Sequence, residues 1–185
     1  MILDTDKKVV VFEGSNGSGK SSVIQILRDK YHICISKAVP EWFYKYIEKV
    51  RKLSPEKELK FYESAHIAAI LEKTATMVIY DRCIYSTVIR IFYRCHKSVD
   101  ETFNYIREVY IQPDLAFILK IDKKTCQERL IKRGDGINFD QNYYEFENEV
   151  YDLMIKNMGN CIEIDGTNNR FSIAQEIYSY LHTLL

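Results

Sequence analysis

The most informative stretch of this chain is Lys7-Lys8-Val9-Val10-Val11-Phe12-Glu13-Gly14-Ser15-Asn16-Gly17-Ser18-Gly19-Lys20-Ser21. Its first half is a charged start followed by a β-branched apolar run, a pattern that predicts a buried strand. Its second half is rich in glycine and fits the pattern G-x-x-x-x-G-K-[ST]. Beyond it, Val23, Ile24 and Leu27 recur at helical spacing, so we expect a helix to begin near Gly19. Strand, glycine-rich loop and helix is the order that this pattern requires.

The glycine-rich loop is suited to binding phosphate groups. Glycine lets backbone N–H groups turn inward, and the N-terminus of the next helix adds partial positive charge. Lys20 would reach the β- and γ-phosphates of a nucleotide, and the Ser21 hydroxyl would ligate Mg²⁺. A glycine-rich turn with a surface lysine is the alternative, and the flanking strand and helix argue against it. The predicted nucleotide-binding residues are Gly14, Ser15, Asn16, Gly17, Ser18, Gly19, Lys20, Ser21 and Ser22.

Composition limits the classes of protein to consider. With 185 residues, 46% of them hydrophobic, we expect a single domain spanning 1–185. Lys plus Arg and Asp plus Glu both number 26, so no bulk charge favours nucleic acid or an anionic membrane as a partner. Five cysteines without a C-x-x-C pair predict reduced thiols and no zinc site. No apolar run approaches the ~20 residues that span a bilayer, and the acidic start is not typical of a signal peptide. We therefore expect a cytoplasmic protein.

Apolar runs and helical patterns alternate along the chain. The runs lie at 9–13, 33–36, 77–80, 115–121 and 161–164, and the helical patterns at 19–30, 41–52, 55–73, 84–95, 99–110, 123–133, 143–157 and 172–184. This alternation predicts an α/β fold with a five-stranded parallel sheet flanked by helices on both faces. In such sheets ligands bind beyond the carboxyl ends of the strands. Functional residues are therefore expected just after residues 13, 36, 80 and 121.

A second group of polar residues follows the third predicted strand. It reads Tyr80-Asp81-Arg82-Cys83-Ile84-Tyr85-Ser86. The Asp81 carboxylate at this strand end could hold the water shell of Mg²⁺ or a substrate hydroxyl, and Arg82 could clamp a phosphate through two parallel bonds. A structural Asp–Arg ion pair at a helix start is the alternative. The phosphate-binding loop on the neighbouring strand favours the functional interpretation.

These motifs resemble those of the thymidylate kinases. The resemblance rests on Phe12-Glu13-Gly14, Asp81-Arg82-x-x-x-Ser86, Gln112-Pro113-Asp114-Leu115, the stretch 119–129, Arg133-Gly134, Phe146-Glu147-x-x-Val150-Tyr151 and Ile164-Asp165-Gly166. It covers nearly the whole chain and implies a P-loop kinase with a short lid at about 133–142. It also implies phosphoryl transfer from ATP with Mg²⁺ to a nucleotide, with a pyrimidine deoxynucleoside monophosphate such as dTMP as the expected acceptor. In that reaction Lys20 neutralises β/γ charge, Ser21 and Asp81 hold the metal, Arg82 clamps a phosphate, and Glu13 orders the acceptor or the metal shell.

The chain also departs from the thymidylate kinase pattern. Asn16 stands where those enzymes usually carry an acidic residue, and 36–42 lacks their Arg-Glu-Pro segment. Phe61 fits the phenylalanine that stacks on thymine, but no arginine follows it shortly afterwards. Arginine is also absent between Gly134 and Tyr144, which leaves Arg129 and Arg133 as the candidate nucleotide-binding arginines near the lid.

These departures point to a related group, the deoxynucleoside kinases, in which a glutamate at the position of Glu13 acts as base on the 5′-hydroxyl. A nucleoside acceptor therefore stays open beside the monophosphate, as does a catalytically silent nucleotide-binding regulator. The candidate substrate-binding residues are Phe61, Trp42, Lys37, Tyr85 and Ser86. A monophosphate would need a further cation near Arg82, supplied by Lys37 or Arg90. Whether the protein forms a homodimer stays open.

Overall fold

The computed structural model describes residues 7–73, 75–109, 112–134 and 139–184. Its strands are β1 (Lys8–Glu13), β2 (Ile35–Lys37), β3 (Met77–Asp81), β4 (Leu115–Lys120) and β5 (Cys161–Asp165). Its α-helices are α1 (Lys20–Tyr31), α2 (Tyr44–Val50), α3 (Pro55–Leu71), α4 (Ile84–Arg94), α5 (Val99–Glu108), α6 (Lys123–Lys132), α7 (Gln141–Asn157) and α8 (Arg170–Leu184). A short 3₁₀ helix, Glu41–Phe43, precedes α2.

The five strands form one parallel sheet in the order β2-β3-β1-β4-β5. In its register Val10 lies opposite Ile79 of β3 and Leu115 of β4. The central strand β1 is buried at every position after Lys8, because helices cover both of its faces. The predicted fold class is confirmed. The order of strands brings the carboxyl ends of β1 and β3 side by side.

Alternate residues of the sheet belong to two separate hydrophobic cores. Val11, Tyr80 and Ile118 face a core shared with α3, α4, α5 and α7. Val10, Phe117 and their neighbours face a second core shared with α1 and α8. Because side chains of a strand point alternately to its two faces, the apolar run of β1 supplies both cores. Each face of the sheet therefore fixes a different set of helices around the end of β1.

Several local signals in the sequence appear as expected. Ser98 and Glu101 form both hydrogen bonds of a capping box at the start of α5. Pro55 occupies the first turn of α3. The helix expected over 41–52 is instead divided into the 3₁₀ turn and α2. The helix expected from residue 143 begins at Gln141, because the Asp140 side chain accepts a hydrogen bond from the Tyr143 N–H at 3.0 Å.

The predicted lid at 133–142 is described only at its two ends. Arg133 follows α6 directly, and Gln141 opens α7, whereas 135–138 lie outside the described residues. Within the described part of the chain, no helix combines the length and the apolar character needed to cross a membrane.

Candidate active site

The glycine-rich loop connects β1 to α1 through a backbone that only glycine adopts without strain. Gly14 has φ of 130°, and a Cβ there would collide with the backbone oxygen of Leu119. Gly19 has φ of 100° and caps α1, and its carbonyl accepts from the N–H groups of Ser22 and Val23 at 3.0 and 3.1 Å. The loop therefore presents a helix N-terminus at the carboxyl end of the sheet.

Lys20 folds back along the inside of this loop. Its ammonium group donates to the Gly14 carbonyl, to the Ser15 carbonyl at 2.9 Å and to the Ser18 hydroxyl at 3.1 Å. Burial, and secondarily the positive charge of Arg82, lowers the pKa of Lys20 to about 7. A bound polyanion would raise this pKa again, so the charge of Lys20 is coupled to the occupancy of the loop.

Helix α6 supports the loop from behind. The Arg129 guanidinium donates to the carbonyls of Gly17 and Ser18, both at 3.3 Å, and of Gly166 at 3.1 Å. The Cys126 thiol donates to the Asn16 carbonyl at 3.0 Å. These bonds join the loop, α6 and the turn after β5 into one frame. Arg129 is thus held on the loop backbone, with its guanidinium beside the predicted nucleotide site.

A cavity of about 660 Å³ opens over the loop. We call it the donor cavity. Its described lining consists of Asn16, Gly17, Ser18, Gly19, Lys20, Ser21, Ser22, Val23, Asp81, Arg82, Arg129, Lys132, Arg133, Gly166, Asn168, Arg170 and Ile173. The Ser21 hydroxyl and the Asp81 carboxylate are both in this lining. Hydroxyl and carboxylate oxygens suit Mg²⁺, which proteins usually bind through one or two such groups together with substrate phosphates. The residues present therefore fit the predicted metal.

Glu13, the last residue of β1, is completely buried. One carboxylate oxygen accepts from the Cys83 N–H at 2.9 Å and the Cys83 thiol at 3.2 Å, and the other accepts from the Tyr151 hydroxyl at 3.3 Å. The Arg82 guanidinium approaches this second oxygen to 3.6 Å. Burial raises the pKa of Glu13, and Arg82 partly opposes the rise. Glu13 therefore joins the start of α4 to the base of the site.

Arg82 lies at the centre of the site with an unusual backbone. Its φ is 69°, a left-handed conformation that side chains other than glycine seldom adopt. Its N–H donates to the Phe12 carbonyl at 2.9 Å, and its guanidinium donates to the Asn16 side-chain oxygen at 2.9 Å. Strained residues of this kind cluster at functional sites, where the strain fixes the direction of a side chain.

A second cavity, of about 550 Å³, lies on the other side of Arg82. We call it the acceptor cavity. Asn16 and Arg82 line both cavities, so the two meet there. The remaining described lining is Arg51, Tyr62, Ser86, Thr87, Arg90, Tyr93, Arg94, Asp140, Tyr143 and Glu147. Four guanidinium groups and two carboxylates thus surround it, which favours an anionic ligand.

The structure brings only part of the predicted substrate site together. Ser86 lines the acceptor cavity, but Tyr85 is fully buried and donates to the Gln112 side-chain oxygen at 2.5 Å. Phe61 packs edge-on against Phe43, with ring centroids 5.1 Å apart, and lines neither cavity.

Trp42 and Lys37 also lie outside both linings. Trp42 is 53% exposed, and its indole N–H donates to Glu72 at 2.8 Å. The Lys37 ammonium lies 5.6 Å from the centre of the Tyr44 ring. Lys37, at the end of β2, is therefore on the rim of the molecule beside α2 and does not reach either cavity.

Sequence reasoning missed several residues of the acceptor cavity, among them Arg51, Tyr62, Arg94 and Glu147. A signal existed for one face of it, because Ser86, Arg90 and Arg94 follow each other at four-residue spacing on α4. Arg51 and Glu147 come from α2 and α7, which are distant in sequence. Their convergence depends on tertiary packing and leaves no local pattern.

Curated relatives align with more than nine-tenths of this chain. A thymidylate kinase of Brachyspira hyodysenteriae is 28% identical over 190 residues, covering 92% of this chain and 91% of the relative. A probable thymidylate kinase of Sulfolobus acidocaldarius is 24% identical and covers 96% and 97%. Among solved structures, a deoxyadenosine kinase from M. mycoides with bound dATP has a TM-score of 0.64 and 19% identity, covering 94% and 99%. That likeness shows the common fold.

The family assignment follows from a match along most of the chain. The family model described as thymidylate kinase matches residues 12–177. This range includes the last two residues of β1, the glycine-rich loop, the lining of both cavities and strands β2 to β5. The chain therefore belongs to the thymidylate kinase family, whose members are nucleoside monophosphate kinases.

Proposed function

We propose that this protein transfers the γ-phosphoryl group of ATP to a pyrimidine deoxynucleoside monophosphate, with dTMP as the first acceptor to test. The observation that carries the proposal is the meeting of two cavities at Arg82 and Asn16. A triphosphate on the glycine-rich loop and an acceptor in the second cavity would face each other across Arg82. Holding two reactants in this way supplies much of the rate enhancement of phosphoryl transfer.

The charge of the acceptor cavity supports a monophosphate over a nucleoside. A monophosphate brings about two negative charges, and their partial burial needs more than one cation. Arg82 lies at the meeting point, and Arg51 and Arg90 line the same cavity. Arg82 and Arg90 already contact Glu13 and Glu58, but each keeps further N–H donors, and a neutral nucleoside offers no anionic group to them. The arginines are therefore best explained by an acceptor that carries its own phosphate.

On the donor side the residues of the chain bind and orient the triphosphate. Backbone N–H groups of the loop and the N-terminus of α1 bind phosphate oxygens, and Lys20 lies beside the β- and γ-phosphates. Arg129 and Arg133 border the same cavity. Mg²⁺ bound together with the triphosphate would be held by Ser21 and Asp81 and would neutralise charge on the phosphates. Charge that increases in the transition state is stabilised by these fixed cations.

A deoxynucleoside kinase with Glu13 as base is the alternative within the enzymes. A general base must reach the proton that it removes. Glu13 is fully buried, and both of its oxygens accept hydrogen bonds from within the protein. This environment supports a positioning role, in which Glu13 fixes the start of α4 and the direction of Arg82. The five cysteines are free thiols, which supports a reducing compartment such as the cytoplasm.

A phosphorylation panel tests the proposal. The protein is incubated with ATP and Mg²⁺ and, separately, with dTMP, dUMP, dCMP, thymidine and deoxycytidine, and products are separated by ion-exchange chromatography. We expect at least one monophosphate to be converted to its diphosphate. Neither nucleoside should be converted to its monophosphate. Phosphorylation of thymidine or deoxycytidine alone would identify a nucleoside kinase. ATP binding without transfer to any acceptor would identify a nucleotide-binding regulator.

A further inference from the structure

Glu58 is a buried carboxylate that the transfer reaction described above does not use. It lies in the first turn of α3 and is completely buried. One of its oxygens accepts from the Arg90 guanidinium at 2.9 Å and the other from the Arg94 guanidinium at 2.6 Å. The two arginine side chains remain 31% and 42% exposed and line the acceptor cavity. Glu58 therefore holds two guanidinium groups in place at the cavity wall.

Both guanidinium groups keep unused donors. An arginine carries five N–H donors, and the bond to Glu58 occupies one nitrogen of each. The single charge of Glu58 also neutralises only one of the two positive charges. Two guanidinium groups that are held in place by one carboxylate and keep further donors are suited to bind an acceptor atom of a ligand.

The position of this pair along α4 shows which part of the ligand would meet it. Transfer takes place where the cavities meet, at Arg82 and Asn16. From there the lining follows one face of α4 through Ser86 and Arg90 to Arg94. Ser86 and Arg94 are about 12 Å apart along the helix axis, at 1.5 Å per residue. A monophosphate with its phosphate at Arg82 would place its base towards Arg90 and Arg94.

The same end of the cavity offers surfaces on which a flat base can stack. Tyr62 lines the cavity, and the Arg90 guanidinium lies over its ring, 5.8 Å from the centre. Tyr93 and Tyr143 are also in the lining. Aromatic rings and guanidinium planes both stack on heterocycles. These features agree with a base at this end, and they replace Phe61, which packs elsewhere.

The two carboxylates of the lining already accept hydrogen bonds from tyrosines of the protein. Asp140 accepts from the Tyr93 hydroxyl at 3.1 Å and from the Tyr143 N–H at 3.0 Å. Glu147 accepts from the Tyr143 hydroxyl at 3.2 Å and interacts electrostatically with Lys20, at the transfer end. The base end therefore offers the remaining N–H donors of Arg90 and Arg94, beside carboxylates that already accept hydrogen bonds from the protein.

We propose that Arg94 and Arg90, positioned by Glu58, bind the edge of the acceptor base and select 4-oxo pyrimidines over 4-amino pyrimidines. The proposal rests on the proposed function for the orientation of the acceptor. A guanidinium group only donates, so it pairs with the carbonyl oxygen of thymine or uracil. The amino group of cytosine also donates, and the two donors would be left unpaired and desolvated. No arginine follows Phe61 on α3, so α4 supplies this contact instead.

Calorimetric titration with dUMP and dCMP tests the proposal. These two ligands have nearly the same size and the same phosphate and sugar, and they differ in the 4-oxo or 4-amino group with its neighbouring N3. We expect dUMP to bind at least about tenfold more tightly, the effect of one charge-assisted hydrogen bond. In Arg94→Met, which keeps an unbranched apolar stem and removes the guanidinium group, the ratio should fall to about threefold or less because dUMP binding weakens. Arg107→Met, on the exposed side of α5, is the matched control and should keep the ratio.

A second variant tests whether residue 94 acts through hydrogen bonds to the base or only through its charge. Arg94→Lys keeps the positive charge but loses the planar fork, so it should also lower the dUMP to dCMP ratio. Equal or tighter binding of dCMP by the unchanged protein would overturn the proposal. Equal weakening of both ligands in Arg94→Met and full recovery in Arg94→Lys would assign Arg94 to the phosphate and would overturn it too.

The same titrations with deoxyuridine and deoxycytidine keep this proposal separate from the proposed function. If the transfer panel shows that only nucleosides are phosphorylated, the monophosphate proposal fails. The base proposal is then decided by the ratio of deoxyuridine to deoxycytidine affinity and by the loss of that ratio in Arg94→Met. An unchanged ratio in the variant would overturn it.

Discussion

Lys20 illustrates how the environment of one residue couples charge to ligand binding. Three oxygen atoms of the loop surround its ammonium group. We expect Lys20→Ala to reduce kcat by at least about 100-fold, because one fixed cation at the transferring phosphate is lost. Steady-state kinetics measures the loss, and circular dichroism checks that the fold is intact. A folded Lys20→Ala protein with nearly normal turnover would contradict the phosphate-binding role of the loop.

The low pKa of Lys20 also predicts a pH dependence of ATP binding. With a pKa of about 7 in the free protein, Lys20 loses its proton as the pH rises through 7. ATP binds best to the protonated form, so its dissociation constant should rise above pH 7, by up to about tenfold per unit. Titrations between pH 6 and 9 measure this slope. Lys20→Arg stays protonated throughout and should show a flatter profile, and equal slopes for the two proteins would refute the assignment.

His66 on α3 is buried away from both cavities, and its effect is on stability. It is 3% exposed, and burial lowers its pKa to about 4. The unfolded chain, with a pKa near 6.5, binds this proton more readily than the folded protein does. The contribution of His66 to the unfolding free energy is therefore complete above pH 6.5. It decreases by about 3 kcal/mol in total as the pH drops towards 4. Urea denaturation from pH 7 to 4.5 measures the effect. The unfolding free energy of the unchanged protein should fall relative to that of His66→Leu as the pH decreases. A constant difference would contradict the prediction.

At the scale of elements, α4 lines the acceptor cavity and the edge strand β2 does not. Arg90 lines the acceptor cavity, whereas Lys37 lies over Tyr44. We expect Arg90→Ala to raise KM for the monophosphate by about tenfold and to spare KM for ATP, because a positioning charge contributes uniform binding. Lys37→Ala is the matched control and should change neither constant. A reversed result, with Lys37→Ala affecting the acceptor, would place the acceptor at the end of β2 instead.

Elements built from neighbouring residues were predictable, and the acceptor cavity was not. β1, the loop and α1 are specified locally by a β-branched run, by glycines with positive φ and by helical spacing. Trp42 was predicted to bind the base because of its type, and Phe61 because it fits the base-stacking phenylalanine of the family, but the turn at 41–43 directs Phe43 inward against Phe61. Arg51, Tyr62 and Glu147 meet only after α2, α3 and α7 have packed. Such convergence is a property of the tertiary structure.

At the scale of the whole molecule, the order of strands explains why the donor cavity and the acceptor cavity meet. β1 is central, with β3 on one side and β4 on the other. The loop after β1 and the Asp81–Arg82 turn after β3 therefore share one edge of the sheet, where ligands of parallel sheets bind. α1 and α8 pack on one face, and α3, α4 and α7 pack on the other. The donor cavity includes residues of α1 and α8, and the acceptor cavity includes residues of α3, α4 and α7.

This arrangement predicts tight binding of a molecule that spans both cavities. Adenosine and thymidine joined through their 5′ positions by a chain of phosphates would occupy both at once, and linkage should raise affinity about 100-fold or more over ATP or dTMP alone. The number of phosphates in the compound that binds most tightly indicates whether the acceptor is a nucleotide or a nucleoside. ATP and dTMP together carry four phosphates, and ATP and thymidine carry three. One additional phosphate in each linked compound bridges the gap across which the phosphoryl group moves, so five phosphates match a monophosphate kinase and four match a nucleoside kinase. We expect the pentaphosphate-linked compound to bind more tightly than the tetraphosphate-linked one in calorimetric titration, and to raise the melting temperature further. Tighter binding of the tetraphosphate-linked compound would favour a nucleoside acceptor, and affinities no better than that of ATP would show that the two cavities do not act together.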